Sequence, residues 1–257
     1  MTSIFDKYAQ YYDLLYKDKD YQSEVDYVSG LIKQHATKAK TILDMGCGSG
    51  VHASNFAKLG FSVHGVDQSK EMIKNANEIK DTLNNDIAKK LSFSISDVCE
   101  LKLDLRFDVV VSLFHVVSYQ VSNNDLQKMF FAAASHLNSG GVFVFDCWYG
   151  PAVLNDPPVV RVKRLNGEGI DILRIAEPEF SAQENVVDVN YEVYITDEKS
   201  RKTERINETH RMRYLFYPEI ERMLSLSGLS LIDSQEWMSG KGLGRDTWYG
   251  CFIAKKI

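Results

Sequence analysis

The decapeptide Thr41–Gly50, TILDMGCGSG, restricts the fold more than any other stretch of this 257-residue chain. Thr41, Ile42 and Leu43 carry strand chemistry, Asp44 interrupts it, and glycine occupies three of the six positions from Met45 to Gly50. Glycine reaches backbone conformations that a Cβ forbids, so such a loop lets main chain lie against a ligand. The following SGVHASNFAKLG is patterned as a helix, with Ala53, Phe56 and Ala57 on one face and Gly60 as its stop.

The same alternation continues. Residues 21–36 place Tyr21, Val25, Val28, Leu31 and Ile32 at helical spacing before the first strand. FSVHGVDQS reads as a second strand, and Ser69 is placed to cap a helix over KEMIKNANEI. LSFSISDV is a third strand, and FDVVVSLF a fourth with the uniformly apolar centre of a strand covered on both faces. NDLQKMFFAAASHLNSGG is expected to be a helix ending at its glycine pair, and VFVFDCW a fifth strand. Alternating strands and helices imply βαβ crossovers and a parallel sheet. Beyond Pro151 four β-rich runs follow without intervening helices, as in an antiparallel meander. YPEIERMLSLSG returns to helix, and LSLIDSQEWM with WYGCFIAKKI makes a final strand pair.

The spacing within the glycine loop separates ligand classes. A dinucleotide fingerprint needs G-x-G-x-x-G, but counting from Gly46 gives Gly46, Gly48 and then Val51. The order found is D-x-G-x-G-x-G, from Asp44 to Gly50. A carboxylate at that place repels a pyrophosphate and attracts a cation bearing an ammonium and a sulfonium. Asp67 ends the next strand, 23 positions after Asp44, where an acid can accept both ribose hydroxyls of an adenosine. ILDMGCGSG resembles the first motif of the class I S-adenosylmethionine-dependent methyltransferases, and VHGVDQS their second.

That resemblance implies a Rossmann-like, doubly wound α/β fold. Its sheet is seven-stranded and mostly parallel, with the last strand antiparallel, and it carries an inserted antiparallel β-sheet. The expected division is residues 1–150 and 216–257 for the S-adenosylmethionine-binding domain, and 151–215 for an insert over the acceptor site. The resemblance also implies a cofactor site. Asp44, Gly46, Cys47, Gly48 and Gly50 form its loop; Asp67, Gln68 and Met72 follow the second strand; Asp97 and Val98 meet the adenine; Leu113 and Phe114 end the fourth strand.

Most of the chain looks like the N-methyltransferases that dimethylate amino sugars on nucleotide diphosphates. The N-terminal YYDLLYKDKDY, FDCWYGPAVL and the tail GKGLGRDTWYG carry this wider likeness, which puts Tyr12 against the methionine part of the cofactor. Asp67 stands where those enzymes usually have Glu, Asp146 and Cys147 where they have Glu-Pro, and Tyr119 where some have histidine. The proton acceptors to consider are His115, Tyr119 and His210. Trp148 and Tyr149 can stack on a sugar or base, or fill the junction with the insert. Arg211 and Arg213 alternate with His210 and Met212, and either face an anionic acceptor such as a nucleotide sugar or lie solvated on the outer face.

Composition narrows the partners. The net charge is −5 and the pI about 5.7, so no basic face is advertised for nucleic acid. An Asn-Pro-Pro-Tyr type motif is absent after the fourth strand, where FHVVSYQ stands. The four cysteines form no CxxC pair and no metal site is expected, which points to a reducing, cytoplasmic compartment. No apolar run approaches the ~20 residues of a membrane span. The expected protein is a methyltransferase acting on a small molecule as a monomer or homodimer. A nicotinamide-dependent dehydrogenase, a methyltransferase for another small metabolite's N or O, and a cofactor-binding module without turnover remain as alternatives.

Overall fold

The computed structural model describes residues 19–167 and 169–257, so Tyr12 lies outside the described residues. Strands β1 (Thr41–Met45), β2 (Ser62–Asp67), β3 (Leu91–Ile95), β4 (Phe107–Ser112) and β5 (Leu137–Trp148) come first. Then follow β6 (Arg161–Gly167), β7 (Ile170–Ser181), β8 (Val186–Asp197) and β9 (Thr203–Arg213), and finally β10 (Leu229–Glu236) and β11 (Tyr249–Lys256). One sheet has seven strands in the order β10-β11-β5-β4-β1-β2-β3. Its β1, β2, β3, β4 and β5 pair in parallel, while β11, last in sequence, runs antiparallel between β5 and β10. The second sheet is the expected meander, β6-β7-β8-β9, all antiparallel.

Helices α1 (Tyr21–His35), α2 (Val51–Lys58), α3 (Lys70–Asp81), α4 (Asn85–Ala88), α5 (Asn123–Ser135), α6 (Gly150–Asn155) and α7 (Tyr217–Leu226) complete the described chain. Side chains start four of them: Asp20, Ser69, Asn84 and Ser122 accept from the main-chain N–H groups of Ser23, Met72, Ile87 and Asp125. Each such cap satisfies a donor that a helix start leaves without an intrahelical partner. Among the described residues no helix is long and apolar enough to cross a membrane.

Strand alternation divides the interior between the two faces of the large sheet. Leu43, Met45, Val110, Phe143 and Phe145 join α5 and α7 on one side. Ile42, Val109, Val111, Val142 and Val144 join α1 and α2 on the other. All ten are fully buried, and each such side chain contributes about 1.5–3 kcal/mol. Apolar packing anchors the meander at two points. Met72 of α3 packs on Ile172, Val193 and Ile206, and Val153 of α6 on Val187, Val189, Met212 and Tyr214.

One expectation is corrected. The glycine pair Gly140–Gly141 does not end a helix. The helix stops at Ser135, and both glycines lie inside β5, whose register shifts between the Phe107–Leu137 and Val109–Val142 pairs. Gly140 has φ +75°, and a Cβ on Gly141 would stand 2.8 Å from the Asp108 carbonyl oxygen. The glycines therefore serve a strand irregularity, where the helical spacing of the preceding apolar residues pointed to a helix end.

Candidate active site

A cleft of about 670 Å³ lies between the carboxyl edge of the parallel strands and one face of the meander. Gly46, Asp67, Val116 and Tyr119 also line an adjoining recess of about 370 Å³, which contains Gln68, Asp97 and Val98. Volumes of this size suit a cofactor-sized ligand.

The floor is the glycine loop. Gly46 and Cys47 donate their main-chain N–H groups to the Val66 carbonyl at 2.8 and 2.9 Å, and Gly50 donates to Cys47 at 3.0 Å. Gly46 has φ +81°, and a Cβ there would stand 2.6 Å from both methyls of Val116. Gly50, with φ +76°, is the N-cap of α2 and does not line the cleft. Asp67 Oδ2 accepts from Gly48 N–H and Oδ1 from Ser69 N–H, both at 2.9 Å. Its carboxylate thus ties the loop to the start of α3.

Asp44 lies behind this loop, 2% exposed, and its Oδ2 has no hydrogen-bond partner among the described residues. Burial, reinforced by the Asp67 charge, pushes its pKa up to about 7. A buried carboxylate without a partner is costly, and a cation brought to the loop relieves that cost. The chain therefore fits a cationic ligand carried on glycine main chain. Burial also pushes the Cys47 thiol well up, so this residue is an inert wall. Asp97 Oδ1 accepts from Cys99 N–H at 2.8 Å, so this acid caps a turn and lines the recess at once.

Beyond β4 the chain reverses sharply through Phe114 and His115, both at φ 64°, into a 3₁₀ turn over Val116–Tyr119. Two consecutive non-glycine residues in the left-handed region store strain, of about 1–3 kcal/mol each. The turn holds Leu113, Phe114 and His115 on the cleft wall. His115 Nδ1 lies 2.5 Å from Asp146 Oδ2, at ion-pair distance though not aligned as a hydrogen bond. Its ring stacks on Tyr249, with centroids 4.4 Å apart.

The meander forms the roof. Arg174, Ala176 and Pro178 of β7, Val189 and Tyr191 of β8, and His210 and Met212 of β9 all face the cleft. Tyr119 Oη bonds His210 Nδ1 at 2.7 Å, and His210 Nε2 lies 3.5 Å from Glu208 Oε2. The Arg174 guanidinium sits over the Tyr191 ring, 5.0 Å from its centroid. Trp148 meets Trp248 edge to face, and its indole Nε1 is buried without a hydrogen-bond partner.

Of the aromatic pair singled out in the sequence, Trp148 lines the cleft and Tyr149 does not. Tyr149 is buried against Phe252 in the sheet core, because adjacent residues of a strand point to opposite faces. The two arginines also lie elsewhere. Arg211 is on the outer face, paired with Glu184 and Asp188. Arg213 is buried, binding Glu219, Asn123 Oδ1 and the Val121 carbonyl, so it fastens β9 to α5 and α7. Among the described residues, the arginines that line the cleft are Arg161 and Arg174.

Sequence reasoning also passed over His52, which lines the cleft from the first turn of α2. Its Nε2 lies 2.7 Å from Glu24 Oε2, Tyr21 meets its ring edge-on, and burial holds its pKa below the ordinary value. Lys19 pairs with Glu24 and lies over the Phe114 ring. No local motif announces this cluster, because it joins two helices through tertiary packing.

Residues 42–141 match the family model of a methyltransferase domain. The chain is 26% identical over 249 residues to the dTDP-3-amino-3,6-dideoxy-alpha-D-glucopyranose N,N-dimethyltransferase of Streptomyces fradiae, covering 96% of this chain and 91% of that one. It is 24% identical to the dTDP-3-amino-3,4,6-trideoxy-alpha-D-glucopyranose N,N-dimethyltransferase of Streptomyces venezuelae, covering 92% and 95%. A crystal structure of an S-adenosylmethionine-dependent methyltransferase from Clostridium acetobutylicum shares the fold, with TM-score 0.81 at 22% identity and 99% of each chain covered. With the cation-seeking glycine loop, the family match and this shared architecture together, the chain is an S-adenosylmethionine-dependent methyltransferase similar to the N,N-dimethyltransferases of dTDP-linked amino sugars.

Proposed function

We propose that this methyltransferase alkylates the amine of a nucleotide-linked amino sugar, bound between the glycine loop and the meander roof. The observation that carries this reading is the chemistry of the cleft lining. Arg161 and Arg174 supply positive charge for a diphosphate, and Trp148, Tyr191 and Trp248 supply flat faces for a sugar or base. The likeness to the dTDP-amino-sugar enzymes over nearly the whole chain, roof included, supports it. In this reading residues 151–215 are the insert that recognises the acceptor. The four free cysteines suit a cytoplasmic enzyme.

The cofactor supplies a methyl group already activated by its sulfonium. This chain contributes position and protonation state. Asp67, with the main chain of Gly46 and Gly48, would hold the nucleoside side, while Gln68, Asp97 and Val98 line the recess that would take the adenine. Leu113 and Phe114 form the partition toward the acceptor. Alignment of two reactants supplies about 7–11 kcal/mol in ideal cases, and a walled cleft provides the required fixed approach. The attacking nitrogen must be neutral, so a proton acceptor is needed on the acceptor side.

Turnover should be measured with dTDP-3-amino-3,6-dideoxyglucose, dTDP-3-amino-3,4,6-trideoxyglucose and dTDP-4-amino-2,3,4,6-tetradeoxyglucose. Methylation of at least one is expected. Methylation of glycine or sarcosine with none of these sugars would overturn the reading. With the preferred sugar, Arg174→Ala should raise the acceptor KM about 10- to 100-fold, the range for a lost charge-assisted hydrogen bond. Cofactor affinity should be unchanged. By calorimetry, Asp67→Ala should weaken cofactor binding at least about tenfold, because the loop loses its tie to α3 along with the ribose partner. Wild-type affinity in that variant would remove Asp67 from the site.

A further inference from the structure

Three polar groups, Arg174, Glu208 and His210, lie close together on the inner face of the roof. β7, β8 and β9 present Ile172, Ala176, Val189, Val193, Ile206 and Met212 on the face that carries Arg174, Glu208 and His210. Glu208 and His210 are 6% and 4% exposed, so each is held almost entirely by protein. A carboxylate or an imidazole buried to this degree is expensive to keep without polar partners. The cluster continues across the cleft: Tyr119 Oη is 2.7 Å from His210 Nδ1, and His210 Nε2 is 3.5 Å from Glu208 Oε2. Among the described residues, the Tyr191 ring also faces the imidazole, edge-on at 5.0 Å, with the Arg174 guanidinium behind it.

We propose that Tyr119, His210 and Glu208 work as one proton relay, in which Tyr119 is the catalytic residue that meets the acceptor nitrogen and Glu208 is the positioning residue for His210. The relay rests on the amine-acceptor reading above. Tyr119 Oη takes a proton from the acceptor's ammonium, and the N–H electron pair stays on nitrogen. The phenol's own proton passes to His210 Nδ1, so the O–H bond that breaks is replaced by the one that forms. The positive charge moves from acceptor to imidazolium, where Glu208 stabilises it. Glu208 also favours the tautomer with its proton on Nε2, which leaves Nδ1 open to the phenol. The proton later returns from Nδ1 to Tyr119 Oη as the proton the phenol then carries passes to water in the cleft.

Two measurements on the full-length chain test this. The first is the pH dependence of kcat with the preferred sugar. Tyr119→Phe and His210→Gln should each lower kcat about 100-fold, within the range for a general base, with acceptor KM changed far less. The double variant should lose no more than the worse single one, since the residues act as a unit. Glu208→Gln, which keeps the shape, should move the acidic limb of the profile about one pH unit lower. Multiplying losses, effects confined to KM, or an unmoved limb would overturn the relay. The second is ¹⁵N NMR of the His210 ring in ligand-free protein, which needs no acceptor. The Nε2–H tautomer is expected; an Nδ1–H tautomer would overturn the relay. If no sugar is methylated, the substrate reading falls and the NMR result decides the relay alone.

Discussion

Asp44→Asn is expected to lower cofactor affinity by about 100-fold or more while making the ligand-free chain more stable. The two effects share one cause. The carboxylate is buried, its Oδ2 has no partner among the described residues, and its pKa is raised from 3.8 to about 7 by burial and the neighbouring Asp67 charge. At 1.36 kcal/mol per unit, keeping it ionised in the fold costs on the order of 4 kcal/mol. Because the folded pKa lies above the unfolded one, the unfolded state binds fewer protons between these values. Stability of the ligand-free chain therefore falls as pH rises from about 4 to about 7, and is flat above that window. Asparagine removes this slope, so the variant's gain in melting temperature should be larger at pH 8 than at pH 5. A cationic ligand favours the ionised form, so wild-type affinity should drop about tenfold between pH 8 and pH 6. Calorimetry and thermal melting at these pH values check both halves. Equal affinities in variant and wild type would remove the acid from the site.

Gly46→Ala is the second large effect, and it acts through backbone and space. The residue has φ +81°, where an L side chain is strained by roughly 1–2 kcal/mol, and its Cβ would stand 2.6 Å from both Val116 methyls. Overpacking adds about 1–3 kcal/mol. Val116 opens the 3₁₀ turn that ends at Tyr119, so the push disturbs the floor and the acceptor wall together. A loss of about 2–5 kcal/mol in urea unfolding is expected, with cofactor binding weakened in parallel. Val116→Ala in the same chain should recover the overpacking part and leave the conformational part. Simple addition of the two single losses would show that the clash is absorbed elsewhere.

Much of the fold is legible because its signals are local. A strand buried on both faces has an apolar centre, as in β4, and a helix entered from Ser69 or Ser122 carries its own start signal. The glycine loop is legible for the same reason: positive φ at Gly46, Gly48 and Gly50 is a property of single residues. The misplaced glycine pair marks the limit. Gly140 and Gly141 read as a helix stop until the register of β4 against β5 shows a strand irregularity.

The site divides in the same way. Asp44, the glycines and Asp67 lie within one βαβ unit, and their order along the chain already implies the cationic ligand they suit. The acceptor side is assembled from residues far apart in the chain. Period two says that Arg211 and His210 face opposite ways, but it takes the packed sheet to turn His210 inward and Arg211 out. Arg174, and Tyr249 rather than Tyr149, enter the cleft for the same reason. Glu208 gains its meaning only from a histidine two residues on and a tyrosine 91 positions from that histidine. Composition and spacing thus decided the cofactor, because its cradle is built from neighbours along the chain. Packing decided the acceptor wall, because side chains from distant strands converge only when the meander closes over the parallel sheet.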